Sequence, residues 1–239
     1  LEPVLLAPVA TTVIAAFFAG ALWRHWRRKR AARYLLWWAV GVTAFGLGTS
    51  AEAWTSVFGW SEPAFRLWYV AGALLGGWPL AQGTVYLLMK KKTADRLTVV
   101  SLLYIAVAAA AAIIVPITAE LVEEHRLTGA VMEWEWVRYF SPPLNLYAVI
   151  FLAGGAIWSA MRYRRRHDRP ASHVWGNAFI AVGAILPGVG GAFARGGRVE
   201  VLYVTELIGL SLIWAGYRMM TGAPIEPLHE SQRRADSAV

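Results

Sequence analysis

The sequence predicts an all-α integral membrane protein with seven transmembrane helices. Three observations carry that reading: an apolar composition, seven apolar stretches of spanning length, and basic residues gathered in short blocks at the ends of those stretches. Of 239 residues, 57% are hydrophobic and only 16% are charged, whereas soluble domains carry roughly 25% charged residues. A helix needs roughly 20 apolar residues to cross a hydrocarbon core about 30 Å thick. Such stretches fall at about 3–23, 34–57, 67–89, 97–119, 139–161, 174–194 and 201–220.

The first span is expected to be a lasting helix rather than a cleaved secretory signal. No basic residue precedes its apolar core, and "RHWRRKR" follows it (24–30), the reverse of a signal's charge order. The short connectors after it predict antiparallel neighbours packed side by side. Four segments, 24–33, 90–96, 162–169 and the tail from Arg218, hold 18 of the 23 Lys and Arg residues. The positive-inside rule then places the N-terminus outside and the C-terminus in the cytoplasm of a cell-membrane, multi-pass protein. Placed this way, the net charge of +8 reads as a topology signal, and no nucleic-acid partner is expected.

The outer loop 120–136 is acidic and ends in Trp134 and Trp136, which suit the headgroup layer. Gly-rich patches at 46–51, 72–77 and 188–194 predict close helix packing. "GGWP" (76–79) and "LPGVGG" (186–191) also fit broken helices beside a substrate. Residues 1–220 thus form one membrane domain, and 221–239, with Pro, Ser and scattered charge, read as a disordered cytoplasmic tail.

An internal repeat accompanies this organisation. "AGALWRHWRRKR" (19–30) lies over "GGAIWSAMRYRR" (154–165) at an offset of 135, and Pro8 over Pro143. At an offset of 134, Ala44-Phe45 lies over Ala178-Phe179 and Tyr69-Val70 over Tyr203-Val204. Residues 3–89 and 139–220 therefore read as two three-helix units joined by a linker helix at 97–119. An odd linker makes the units parallel, related by an axis along the membrane normal.

This 3+1+3 arrangement resembles the SWEET sugar carriers, the PQ-loop proteins and the PnuC vitamin carriers, and a remote kinship of such folds with opsins and G-protein-coupled receptors has been proposed. The resemblance covers residues 3–220 and rests on architecture. No Pro-Gln dipeptide stands where a PQ-loop protein carries one, so no binding residues transfer. What the resemblance implies is a central substrate path between the units, opened alternately to each side.

Intramembrane ionisable groups are costly and mark function by default. Glu52 and Glu206 lie roughly 10 and 6 Å from the midplane of their spans, at about 1.5 Å per residue. A carboxyl that changes protonation beside a cavity serves a proton-coupled carrier or a cation site. The structural alternative is a protonated or arginine-paired glutamate tying helices together, with Arg66, Arg138 or Arg195 as partner. Tyr69, Tyr203, Trp78 and Trp214 could line a pocket by stacking or cation–π contact, or simply pack. Gln82 and Asn177 are polar at depth, as ligand contacts or interhelical hydrogen bonds.

Absences bound the chemistry. The only lysines, Lys29, Lys90, Lys91 and Lys92, fall outside the last helix, which excludes an opsin-type retinal Schiff base. No histidine sits within a span, which argues against haem b and an intramembrane zinc site. Cysteine is absent, and with it thiol catalysis and thiolate metal sites. No catalytic motif is found, so no metal, cofactor or enzymatic activity is expected. The expected function is a two-bundle small-molecule carrier using the embedded carboxyls. The alternatives are a seven-helix receptor signalling through a separate partner, and an accessory subunit of a larger membrane complex. The expected partners are the lipid bilayer, an unknown small molecule, and a second copy or another membrane subunit.

Overall fold

A computed structural model describes residues 6–165 and 171–222, with the side chain of Arg195 excepted. The tail from 223 onward and residues 166–170 of the third basic block lie outside the described residues. Among those described, every regular element is helical.

Helix α1 (Ala7–Arg28) begins with Pro8 in its first turn and ends on His25, Arg27 and Arg28. Proline suits a first turn, where its missing N–H has no intrahelical partner, and cations suit the last turn of the helix dipole. Helix α2 (Arg33–Phe58) stops at Gly59, whose φ of 90° suits only glycine without strain. The third predicted span is split. Helix α3 (Glu62–Leu67) runs into a π-helical segment (Trp68–Leu74), the chain turns through Leu75–Gly77, and α4 (Trp78–Leu88) restarts with Pro79 in its first turn. A side chain at Gly76 would meet the Gly72 carbonyl oxygen at 2.4 Å, so the turn depends on the glycine. This is the break that "GGWP" predicted.

Helix α5 (Lys91–Ile114) is followed by three short 3-10 turns, the last at Glu135–Phe140. That turn leads into α6 (Ser141–Ala148), a second π-helical segment (Val149–Ala153) and α7 (Gly154–Arg164), which together form one rod. Helices α8 (Ala171–Arg195) and α9 (Val199–Gly222) complete the bundle. Against the expectation from "LPGVGG", α8 runs unbroken through Pro187, whose ring lies where a side chain on Gly209 of α9 would be. Glycines let these two backbones meet: a Cβ at Gly183 would stand 2.5 Å from the Gly209 carbonyl.

Five helices are long and apolar enough to cross a membrane: α1, α5, the rod Glu135–Arg164, α8 and α9. Two predicted spans fall outside this group. The path from Glu62 to Leu88 is divided, and α2, although 26 residues long, interrupts its apolar sequence with Thr, Ser, Gly and Glu52.

Successive elements pack as neighbours: α1 on α2, α2 on the π segment and α4, α4 on α6, α7 on α8, and α8 on α9. Contact between α9 and α1 closes the ring, while α5 leans on α4 and the π segment. The core divides in two. One part, around Phe65, Trp78, Val115, Val131 and Val137, takes in the 115–140 connector. The other, around Leu22, Leu35, Leu152 and Leu210, fills the half that bears the basic blocks. We call these the capped end and the basic end. The connector is a packed cap, for Val131 and Val137 are wholly buried.

Candidate functional site: a cavity and a carboxyl pair

The basic half of the bundle encloses a cavity of about 450 Å³. It reaches from Phe18, Leu80 and Leu152 at mid-bundle to Arg162, Tyr163 and Thr221 at the helix ends, and is bounded by α1, α2, α4, α7, α8 and α9. Aromatic side chains shape it. Tyr34 and Trp38 of α2 meet edge to face at 5.2 Å, and Arg162 of α7 lies over the Trp158 ring at 5.2 Å. His25 Nδ1 and the Tyr217 hydroxyl share a hydrogen bond of 2.6 Å across α1 and α9. Thr84, Ser159 and Asn177 add polar groups, and among the described residues no carboxyl lines the cavity. This combination of apolar wall, few polar groups and aromatic faces is typical of small-molecule sites.

Both predicted carboxyls lie away from it, toward the capped end. Ile213 is the first cavity residue met on α9, and Glu206 stands seven residues before it, about 10 Å at 1.5 Å per residue. Leu210, 1% exposed, fills the interval. Glu52 is buried and Glu206 half-buried, and their carboxyl groups meet in hydrogen-bonding contact. Helix α1 packs on both α2 and α9, so two long side chains reach across beside it. Trp68 Nε1 donates to Glu52 Oε1 at 2.8 Å. That contact is set by the crossing of α2 and the π segment at Gly48 and Gly72, where a Cβ on Gly48 would stand 2.7 Å from the Gly72 Cα.

Of the three arginines expected beside these carboxyls, Arg66 and Arg138 are engaged elsewhere, and the side chain of Arg195 lies outside the described residues. Arg66 binds Glu62 on its own helix (Nε to Oε1, 2.8 Å) and donates to the Ala112 and Val115 carbonyls. Arg138 pairs with Glu135 at 3.2 Å. Each sits one helical turn from its acid, and such local pairing costs less chain ordering than reaching a distant one.

The remaining candidates divide between packing and the cavity. Tyr69 is buried and donates to the Val137 carbonyl at 3.1 Å, pinning the cap. Trp78 is buried edge-on against Trp37, and Trp214 stacks on Phe18. Gln82 is fully satisfied: its amide donates to the Ala94 carbonyl and Thr98 Oγ1, and its Oε1 accepts from the Tyr147 hydroxyl at 2.5 Å. It ties α4 to α5 and α6. Tyr203 lies within electrostatic reach of both carboxyls. Only Asn177 among the candidates lines the cavity, with its amide donating to the His173 carbonyl at 2.7 Å.

Sequence reasoning missed Tyr34, Trp38, Trp158 and Tyr217. Tryptophans near span ends read as interfacial belt residues, and the cavity rim lies at that same depth. The one available signal was Trp158 four residues before Arg162, the spacing that places a cation over a ring on a helix face. Among the described residues no group of three or more His, Cys, Asp or Glu could hold a metal ion. Compared with protein-family models, curated proteins and solved structures, the chain finds no match.

Proposed function

We propose that this protein is a seven-span membrane carrier for a small aromatic solute, neutral or anionic, with its N-terminus outside. The two three-helix units flank the central cavity, which faces the cytoplasmic, basic side. One observation carries the reading: a single cavity is walled by helices from both predicted units, α1, α2 and α4 on one side and α7, α8 and α9 on the other. Sliding of one unit against the other would open or close such a space. The solute class follows from the lining. Aromatic faces favour a flat apolar body, Arg162 and His25 favour a neutral or negative head, and among the described residues no carboxyl lines the cavity to favour a cation.

A receptor that binds its ligand and signals through a partner shares this geometry, and the dry layer at Leu210 between cavity and carboxyls favours it over an open channel. Thermal unfolding of the purified chain in the presence of aromatic acids and their neutral amides tests the pocket. Binding to the folded state alone raises stability by about 2.7 kcal/mol at a hundred times Kd. The expected result is a saturable rise that is lost in Ser159→Trp, which fills the cavity. Counterflow of the stabilising compound in proteoliposomes then separates carrier from receptor. No stabilisation by any compound, or stabilisation that survives Ser159→Trp, contradicts a solute site here.

A further inference from the structure

We propose that Glu52 and Glu206 form a carboxyl–carboxylate pair that binds one proton between α2 and α9 and holds the capped end closed while that proton is present. The argument stands on this contact, independently of what occupies the cavity.

The hydrogen-bond inventory leaves the pair one hydrogen short. Glu52 Oε1 accepts from Trp68, but its other oxygen, Oε2, is buried and has no donor. The Glu206 carboxyl lies in contact with that of Glu52, and it supplies a hydrogen only when protonated. Two carboxylates in contact inside a bundle repel strongly, and a carboxylate oxygen without a donor forfeits its hydration. One proton resolves both, as an O–H on one glutamate donating to the bare oxygen of the other. A second proton would give two neutral acids, each O–H donating to the other's carbonyl oxygen, and the count of acids and carboxylates separates that state from the singly protonated pair.

No cation replaces this proton among the described residues. Arg126 of the cap pairs with Glu123 and reaches the Ala194 carbonyl of α8, while His125 Nδ1 lies 3.3 Å from the Thr55 carbonyl. Arg66 and Glu62 of α3 satisfy one another. On α9, Tyr203 faces the pair.

A second observation marks this spot as a place for an exchanging ligand. Ser56, one turn from Glu52 toward the cap, is wholly buried. Its hydroxyl lies against the Tyr203 phenol with no partner of good hydrogen-bond geometry. Thr55 Oγ1 beside it is likewise buried and unpartnered. The buried hydroxyls of Ser56 and Thr55 thus lie on the cap side of the pair and apolar packing at Leu210 on the cavity side, so the proposed path of the proton is toward the cap. When it leaves, to water at the capped end, two charges remain in contact, and their repulsion separates α2 from α9.

The sign of the pH effect follows. The proposed proton is bound by the folded pair and not by the separated glutamates of the unfolded chain. The folded state then binds more protons than the unfolded chain, so stability falls as pH rises through the value at which the pair deprotonates.

The test compares the full chain with the Glu52→Gln/Glu206→Gln double variant, both in liposomes of neutral lipid. An amide pair keeps the shape and one N–H···O bond, so the variant's fold is preserved. The infrared difference, wild type minus variant at neutral pH, is expected to show one carboxylic acid and one carboxylate. The wild-type melting temperature is expected to shift downward at alkaline pH, and the variant's is not. Two acids, two carboxylates, or identical pH profiles overturn the proposal.

Discussion

The two ends of this bundle solve the same problem in opposite ways. At the basic end the helices part around a cavity of about 450 Å³ and leave its polar groups accessible. At the capped end α2, α3, α4, α5 and the connector close on Phe65, Trp78, Val131 and Val137, and Glu52 is buried there with Glu206 half-buried against it. The difference lies in what crosses the bundle axis. Near the basic end aromatic side chains, Tyr34 and Trp38 among them, line the space between the helices, although Gly83 lets α4 approach the α2 backbone there too. Near the cap, Gly48 and Gly72 let α2 and the π segment meet backbone to backbone. A helical bundle built this way is open at one end and packed at the other.

The largest expected effect breaks the closed end directly. Trp78→Ala removes a fully buried indole and should cost about 3–5 kcal/mol in thermal or denaturant unfolding. The rim variant Ser159→Ala should stay within about 0.5 kcal/mol. Equal costs at the two sites would erase the distinction between a packed end and an open one.

Next in size is the loss of a buried polar partner. If the two glutamates share a proton as proposed, Glu206→Ala removes the partner of the Glu52 carboxyl and should cost about 1–3 kcal/mol, whereas Glu206→Gln, which offers an N–H in the same place, should cost less. Gln82→Leu should fall in the same range of about 1–3 kcal/mol, because the Tyr147 hydroxyl and the Thr98 hydroxyl each lose a bond. A Gln82→Leu variant as stable as the parent would show that α4, α5 and α6 are held by apolar packing alone.

The smallest effect sharpens the comparison at the cation over the ring. Arg162→Gln removes the contact with Trp158 and should change stability by about 0.5–1 kcal/mol at most. It should weaken binding of an anionic solute more than that of its neutral amide. Equal weakening of both would remove the charge argument for the solute class.

The sequence disclosed the elements of this molecule better than their meetings. Apolar runs and basic blocks mark α1, α5, α8 and α9 because spanning length and flanking charge are local properties. Gly76-Gly77 before Trp78-Pro79 marks the break, since those residues cannot easily continue a helix. Glu52 and Glu206 stand out singly as charges in apolar runs, but their contact depends on α9 closing the ring against α1, which no local pattern states. For that reason the sequence points to arginine partners, whereas Arg66 and Arg138 pair with acids on their own helices and the two glutamates lie in contact. The cavity was least legible. Trp38, Trp158 and Tyr217 have the same spacing from the basic blocks whether they face lipid headgroups or one another across a pocket.

The chain contains no cysteine, so a single introduced thiol reports its own surroundings. The most direct measurement is the labelling rate of Ser159→Cys and Ser56→Cys by a membrane-impermeant maleimide, applied to sealed vesicles of each orientation at neutral pH. The account predicts that Cys at 159 reacts rapidly from the basic face alone and that Cys at 56 is protected from both faces. Rapid labelling at 56 with protection at 159, or labelling of 159 from the capped face, would contradict it.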